Sequence, residues 1–200
     1  MDPATGEMFH HLPMDPDVAR EIVAWGADER RHINYYIDDR LYVERRTEWS
    51  DLYARNTGSD VLPVGPLLRF DGRSPTKLIY VGAPDDTREA LEMWRRRLGS
   101  RVYAVLSNPE YLEFLNPEAN KWAGVSAVAE YYGIPPEQIV AFGDSPNDVP
   151  MLVHAGLGVV MPHAHPEVKA VADVAMEGDS EDAVSRAVEN LMAGRGLGRA

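Results

Sequence analysis

The chain has 200 residues, 44% of them hydrophobic, which is enough to bury one core or two small ones. Its formal net charge of −12 disfavours nucleic acids and anionic membrane surfaces as partners, because like charges repel before contact is made. The sequence contains no cysteine and no apolar run of roughly 18 residues that could span a bilayer. We therefore expect a cytoplasmic protein without disulfides or thiolate metal sites.

The first half of the chain is predicted to mix helices and strands. A turn and a short strand ending at Pro13 come first, and a helix capped by Asp15 or Asp17 follows and ends near Ala27. The β-formers in INYYIDD and LYVERR predict two strands around a tight turn. The other predicted elements are a helix over 50–56, a Gly- and Pro-rich loop over 58–66, a strand over 77–82, a helix over 84–98 and a strand over 100–107. This half is predicted to be an α+β module.

From Asn120 onward, helices and strands alternate. The predicted elements are a helix over 121–132, a strand over 138–142, a helix from Asn147, a strand over 156–161, a short helix over 166–171, a brief strand over 172–176 and a last helix over 180–193, capped by Ser180. This alternation implies parallel strands joined by crossover helices. The second half is predicted to be part of an α/β layered core.

Polar residues are concentrated in AFGDSPNDVPML, where the strand over 138–142 ends. Gly143 permits an awkward turn, and Asp144 then projects from the carboxyl end of the strand, where ligands of parallel sheets bind. Asp148, on the first turn of the next helix, is expected to point into the same crevice. Two carboxylates in one small volume suit Mg²⁺, which takes one or two protein carboxylates and leaves its other positions to water and phosphate.

The same segment also has features that favour an anion. Asn147 can donate to a phosphate oxygen without adding negative charge, and the free N–H groups at a helix start attract anions. The segment therefore predicts a site for magnesium and phosphate. Two plainer interpretations stay open: Asp144, Ser145 and Asp148 only cap a helix, or the segment is a calcium loop, although it lacks the alternating ligands and distal glutamate of an EF-hand.

The run GDSPNDVPMLVHAG, followed by GVVM and HAHPEVKAVADVAM, resembles the C-terminal signature of the haloacid dehalogenase (HAD) superfamily, in particular the Cof-type sugar-phosphate phosphatases. The order of the signature is matched over residues 138–192. The family also has a lysine at the start of the preceding helix, and Lys121 lies at the matching place, followed by Trp122 where the family has glycine. The fold class implied is α/β: the C-terminal part of a HAD-type, Rossmann-like parallel core, plus an inserted α+β cap domain.

The resemblance implies a Mg²⁺-dependent phosphatase of small phosphorylated metabolites of the sugar-phosphate class. It implies that Asp144 binds Mg²⁺ directly and that Asp148 binds it through water or orients its ligands. Asn147 would contact the substrate phosphate, and Lys121 would neutralise the transferred phosphoryl group, supplying the local cation that so acidic a chain needs. Gly143 and Ser145 would support the site.

The resemblance also implies a domain arrangement. Residues 1–13 would be the end of a core segment that leads into the cap, and 14–113 would be the cap that selects the substrate. Residues 114–193 would be the C-terminal part of the core, and 194–200 a flexible tail.

The family's reaction uses a nucleophilic aspartate in an Asp-x-Asp-x-Thr segment at the end of the first core strand. None of the candidate positions, Asp15 with Asp17, Asp38 with Asp39, and Asp71, has that pattern after an apolar strand. We therefore expect an N-terminally truncated chain that has lost covalent phosphoryl transfer and associates, for example as a homodimer, through an exposed edge of its core sheet. The alternatives are a non-catalytic protein that still binds phosphate or metal, and a purely structural α/β domain.

Two further groups are given structural roles. His10, His11, His154, His163 and His165 are interpreted as surface residues rather than metal ligands. Trp25, Tyr35, Tyr36 and Trp49 are assigned to the core of the predicted cap rather than to a substrate platform.

Overall fold

A computed structural model describes residues 5–6, 8, 10–176 and 182–197, and the chain divides into two compact units, Met1–Ala119 and Asn120–Ala200. Each unit contains its own β-sheet. The division of roles between a cap and a core stays a prediction. No helix in the described ranges is long and apolar enough to cross a membrane.

The first unit is built on a six-stranded sheet. Its elements are α1 (Pro16–Asp28), β1 (His32–Ile37), β2 (Arg40–Val43), α2 (Glu48–Thr57), β3 (Val61–Pro63), β4 (Lys77–Val81), α3 (Pro84–Leu98), β5 (Tyr103–Asn108) and β6 (Tyr111–Leu115). The strand order is β3-β2-β1-β4-β6-β5, and every pair is antiparallel except β2 with β3. The predicted helices and the β1–β2 pair are confirmed, whereas β3 and β6 were not predicted.

Local side-chain chemistry explains where several of these elements begin and turn. Asp15 caps α1 by accepting hydrogen bonds from the N–H groups of Asp17 and Val18. Asp38 and Asp39 both have positive φ, 53° and 55°, as a two-residue turn between antiparallel strands requires. The cap and the tight turn predicted from sequence are therefore both present.

The sheet of the first unit is covered on both faces. Alternate residues of β1 and β4, such as Tyr35 and Tyr80, face α1 and α3, where Trp94 is completely buried. The intervening residues, such as Ile79, join Tyr53 of α2 in a second cluster. Because successive side chains of a strand point to opposite faces of the sheet, these strands contribute side chains to two separate apolar cores.

The second unit is a small parallel α/β layer. Its elements are α4 (Lys121–Tyr132), β7 (Val140–Gly143), α5 (Val149–His154), β8 (Leu157–Val160), α6 (Pro166–Lys169), β9 (Val174–Ala175) and α7 (Ala183–Met192). The strands pair in parallel in the order β7-β8-β9. The predicted alternation and parallel pairing are confirmed. The core contains Ala141, Leu152, Val160, Ala164 and Val168.

Several predicted boundaries were wrong. Residues 10–13 form no strand, and β7 begins only at Val140, because a 3₁₀ turn over Pro136–Gln138 precedes it. A second 3₁₀ turn, Pro146–Asp148, lies between β7 and α5, where a continuous helix was expected. The predicted cap Ser180 and residues 198–200 of the predicted tail lie outside the described residues.

Apolar side chains remain exposed on the second unit. Val128, Tyr131 and Tyr132 of α4 are each more than 40% exposed, and Val140 of β7 is 38% exposed. Within the described ranges, β7 pairs only with β8, so its outer edge has no strand neighbour. A helix with apolar residues all round, beside an open strand edge, is typical of a surface that another protein segment covers.

Candidate active site

The candidate site is organised around the buried side chain of Asp148, on the 3₁₀ turn after β7. Asp148 is only 2% exposed. One of its carboxylate oxygens accepts a hydrogen bond from the ammonium group of Lys121, the first residue of α4. The other accepts from the backbone N–H groups of Asp144 and Ser145, at 3.0 and 3.1 Å. Asp148 therefore connects α4 to the turn at the carboxyl end of β7.

The surroundings of Asp148 favour its ionised form. Burial by itself raises the pKa of this carboxyl, but the hydrogen bond from Lys121 and the two from backbone N–H groups outweigh burial and hold the pKa below its usual value. An ionised Asp148 in turn fixes the cation of Lys121 in place. The site therefore contains an ion pair in which Asp148 is buried and Lys121 is partly exposed.

Gly143 is required for space rather than for an unusual backbone conformation. A Cβ at Gly143 would lie 2.6 Å from Cβ of Asp148 and 3.0 Å from its Cγ. Gly143 does not have a positive φ, so the prediction that it permits an awkward turn was wrong. The glycine instead lets Asp148 approach the end of β7 closely enough to accept the N–H groups beyond it.

The carboxylate of Asp144 is more accessible than that of Asp148. Its side chain is 47% exposed, and one oxygen lies 3.7 Å from Nε2 of His163. The carbonyl of Asp144 accepts from the N–H of His165 at 3.2 Å, and that of Gly143 accepts from Met161 at 3.0 Å. These bonds place the loop after β8 directly beside the turn after β7.

His163 is a candidate site residue that sequence reasoning assigned to the surface. Its side chain is 57% exposed, yet it lies next to Asp144. The signal that could have identified it is topological: His163 follows β8, and the carboxyl ends of neighbouring parallel strands meet at one edge of the sheet.

Asn147 places a further candidate ligand oxygen at the site. Its Oδ1 atom is buried and accepts no hydrogen bond within the described part of the chain. Such orphaned acceptors are rare in folded proteins and call for a missing donor or cation. No group of three His, Cys, Asp or Glu side chains able to hold a metal is found among the described residues. The donor set, one accessible carboxylate and one amide oxygen, therefore fits Mg²⁺ only if water or phosphate completes it.

Lys121 is held in place by its helix. Asn120 caps α4 by accepting from the N–H of Ala123 at 3.0 Å. Trp122, at the position where the family pattern has glycine, stacks on the ring of His154 in α5, with centroids 5.4 Å apart. The departure from the family pattern thus packs α4 against α5 and leaves Lys121 beside Asp148.

Comparison with known proteins agrees with the resemblance noted in the sequence. The family model of haloacid dehalogenase-like hydrolases matches residues 2–188. The chain belongs to this family. A haloacid dehalogenase-like hydrolase from Bacteroides thetaiotaomicron has the same fold, with a TM-score of 0.81 at 23% identity over 94% of this chain and 71% of that one. Family and α/β fold class are therefore confirmed.

Two curated phosphatases are similar in sequence to this HAD-like chain. The HMP-PP phosphatase of Enterobacter sp. is 27% identical over 82% of the chain and 60% of its own length. The 5-amino-6-(5-phospho-D-ribitylamino)uracil phosphatase of Bacillus subtilis is 28% identical over 88% of the chain and 66% of its own length. The chain thus spans about two thirds or less of these relatives.

The structure brings together most of the predicted site residues. Lys121 and Asp148 form an ion pair, and the backbone of Asp144 and Ser145 closes around the same carboxylate. Gly143 lies directly against Asp148. The carboxylates of Asp144 and Asp148 were expected to point into one crevice, with Asp144 binding the metal directly and Asp148 binding it through water or orienting its ligands; Asp144 is accessible, whereas Asp148 is buried and accepts three hydrogen bonds. Their assignment as metal ligands stays a prediction.

Proposed function

We propose that this HAD-like chain carries the metal- and phosphate-binding part of a phosphoric monoester hydrolase site. The observation that supports the proposal is the ion pair between Lys121 and buried Asp148, at the carboxyl end of β7. A lysine held there by an ionised acid presents a cation where ligands of parallel sheets collect. A chain of net charge −12 needs such a cation to attract a phosphate.

We assign separate roles to Asp144, Asn147 and Asp148. We assign Asp144 and Asn147 as the side chains that would hold Mg²⁺, because they offer an accessible carboxylate and an amide oxygen that has no partner among the described residues. Bound Mg²⁺ would neutralise charge on a phosphoryl group. We assign Asp148 to a positioning role: it holds Lys121 and the backbone of Asp144 in place, since its oxygens already accept three hydrogen bonds. Asn147 can also donate through its amide nitrogen to a substrate phosphate.

The proposed substrates are small phosphorylated metabolites. Both curated relatives are named as phosphatases of such compounds. The predicted cytoplasmic location and the absence of nucleic-acid partners fit this class and remain part of the proposal.

A second candidate function is binding of metal and phosphate without turnover. The observation that favours it is that these 200 residues contain no Asp-x-Asp-x-Thr segment. A metal and a lysine supply charge and orientation, but no attacking group. On this proposal, hydrolysis requires a nucleophile from outside these residues.

Titration calorimetry separates binding from turnover. We expect the chain to bind Mg²⁺, Asp144→Asn to bind it at least about tenfold more weakly, and Lys121→Met to keep Mg²⁺ binding while losing the added affinity for inorganic phosphate. Asp85→Asn, a change at an exposed acid of α3, is the matched control. Mg²⁺ binding that is unchanged in Asp144→Asn would refute the site assignment.

An assay with p-nitrophenyl phosphate and Mg²⁺ then distinguishes the two functions. Turnover by the chain that disappears in Asp144→Asn supports the hydrolase. Mg²⁺ and phosphate binding without turnover supports the non-catalytic function. Turnover that survives Asp144→Asn would contradict the proposed site in either form.

A further inference from the structure

The first unit contains a cavity of about 130 Å³. Its walls come from the last turn of α1, the start of β1, the loop after β2 and residues 66–68. All of the lining residues belong to the first unit, whereas the candidate active site is built from residues 121–165. We infer that this cavity is a second binding site, for the phosphate group of a small phosphate monoester.

The charge of the lining is opposite to that of the protein. Arg30, Arg31 and Arg45 line the cavity together with a single acid, Glu44. Glu44 lies 3.5 Å from Arg45, and Asp86, which is outside the lining, lies 3.0 Å from Arg31, so these five formal charges leave a net charge of +1 on a chain whose own net charge is −12. A phosphate monoester, close to a dianion above its second pKa of about 6, is attracted to this locally positive lining and brings three acceptor oxygens, against two on a carboxylate. Guanidinium groups also match phosphate oxygens in a bidentate manner.

Arg31 has one hydrogen-bond donor without a partner among the described residues. Nε of Arg31 is buried and has no acceptor among the described residues, while its Nη1 is held at 3.0 Å by both Tyr80 Oη and Asp86 Oδ2. Arg31 therefore has a fixed side chain with one donor left over. A buried donor of this kind is normally paired, so Arg31 retains hydrogen-bonding capacity beside the cavity.

Arg30 occupies a strained backbone position. Its φ is 54°, in the left-handed region that a residue just after a helix adopts most easily when it is glycine. Within the described ranges, its side chain forms no ion pair. Strain retained at a residue that lines a cavity is typical of a binding site, where the side chain is needed.

His32 and Thr47 form an uncharged, hydrogen-bonded part of the lining. His32 is 9% exposed, donates from Nε2 to Asn34 at 2.9 Å and accepts at Nδ1 from the hydroxyl of Thr47 at 2.9 Å. Burial lowers the pKa of His32, despite its hydrogen bond with Asn34. Thr47 also caps α2, so the loop that carries Arg45 is anchored at its end. Trp49 and Leu67 add apolar surface, which suits the organic part of an ester.

A titration of the ¹⁵N-labelled chain with phenyl phosphate and with inorganic phosphate, without divalent cations, tests the inference. We expect saturable shifts of the amides of residues 30–33 and of the Trp49 indole. Arg30→Gly should weaken this binding by about tenfold while leaving the thermal midpoint unchanged or higher, because it removes a charged donor and relieves the strain. Arg45→Gln should weaken binding similarly.

Matched controls separate this cavity from the candidate active site. Arg88→Gln, on exposed α3, should bind as the unaltered chain does. Lys121→Met should leave the shifts around Trp49 intact. The inference is overturned if phosphate at millimolar concentration shifts none of these resonances, if Arg30→Gly and Arg45→Gln bind normally, if Lys121→Met abolishes the shifts, or if benzoate binds as tightly as phenyl phosphate.

Discussion

Lys121 and Asp148 form an ion pair across 27 residues of sequence, and the acid is almost fully buried while the lysine side chain is 48% exposed. The pair joins the start of α4 to the turn that follows β7. Because Asp148 also accepts the N–H groups of Asp144 and Ser145, one carboxylate determines the shape of the whole turn. Stability and the geometry of the candidate site therefore depend on the same residue.

Replacing Asp148 should destabilise the second unit. Asp148→Leu removes the ion pair and leaves two backbone donors without an acceptor, which should cost about 2–4 kcal/mol in the free energy of unfolding. Asp148→Asn keeps an acceptor oxygen and should cost less. Urea denaturation followed through the indole resonance of Trp122, the one tryptophan of this unit, measures the effect. Asp85→Asn is the exposed control, and a loss for Asp148→Leu no larger than that of the control would contradict the prediction.

The same carboxylate should make stability depend on pH. The pKa of Asp148 in the folded chain lies below its usual value, so the folded state favours the ionised form. The resulting stabilisation is fully present above the unfolded pKa, about 3.9, and is lost as pH falls through the folded pKa. The difference in unfolding free energy between the unaltered chain and Asp148→Asn should therefore narrow in acid. A difference that stays constant from neutral pH down to about pH 2 would show that Asp148 does not carry this dependence.

Gly143 should tolerate no side chain. Gly143→Ala puts a Cβ 2.6 Å from Cβ of buried Asp148, and the displacement should cost about 1–3 kcal/mol in unfolding free energy and weaken Mg²⁺ binding. Gly124→Ala is the matched control, because a Cβ at this exposed position of α4 meets no atom within 4 Å. It should stabilise the helix by about 0.5–1 kcal/mol. Equal effects of the two substitutions would mean that space at Gly143 is not limiting.

Local signals in the sequence were sufficient for much of the fold. The helix over 121–132 was predicted with both of its ends, and Asp15 was one of the two residues predicted to cap α1, because caps and apolar spacing act within a few residues. Strand β6 was missed, since its short segment becomes a strand only by pairing with β4 and β5. Long-range pairing of this kind leaves little trace in a single sequence.

The candidate site was predictable in composition but not in detail. The motif identified Asp144 and Asp148, yet it could not show that the carboxylate of Asp148 accepts hydrogen bonds from the backbone N–H groups of Asp144 and Ser145. His163 and the arginines around the cavity were missed for the same reason. Arg30, Arg31 and Arg45 lie on two different loops, and only the β1–β2 pairing brings those loops together.

The outer edge of β7 should mediate association between copies of the chain. In the part of the chain that the structure describes, this edge has no strand neighbour, so its backbone groups can pair with another strand, and the exposed side chains of α4 and Val140 add apolar area. Val140→Lys should place a charge on the edge and shift the chain toward monomer. Size-exclusion chromatography with light scattering, over a range of concentrations, measures the change.

Val171→Lys is the matched control for that experiment. Val171 is 37% exposed, close to the 38% of Val140, but it lies after α6 rather than on β7. Both variants add the same charge, so a general gain in solubility would affect them equally, whereas a block of edge pairing would affect only Val140→Lys. A chain that is monomeric at every concentration, or two variants that dissociate alike, would show that the edge of β7 is not the contact.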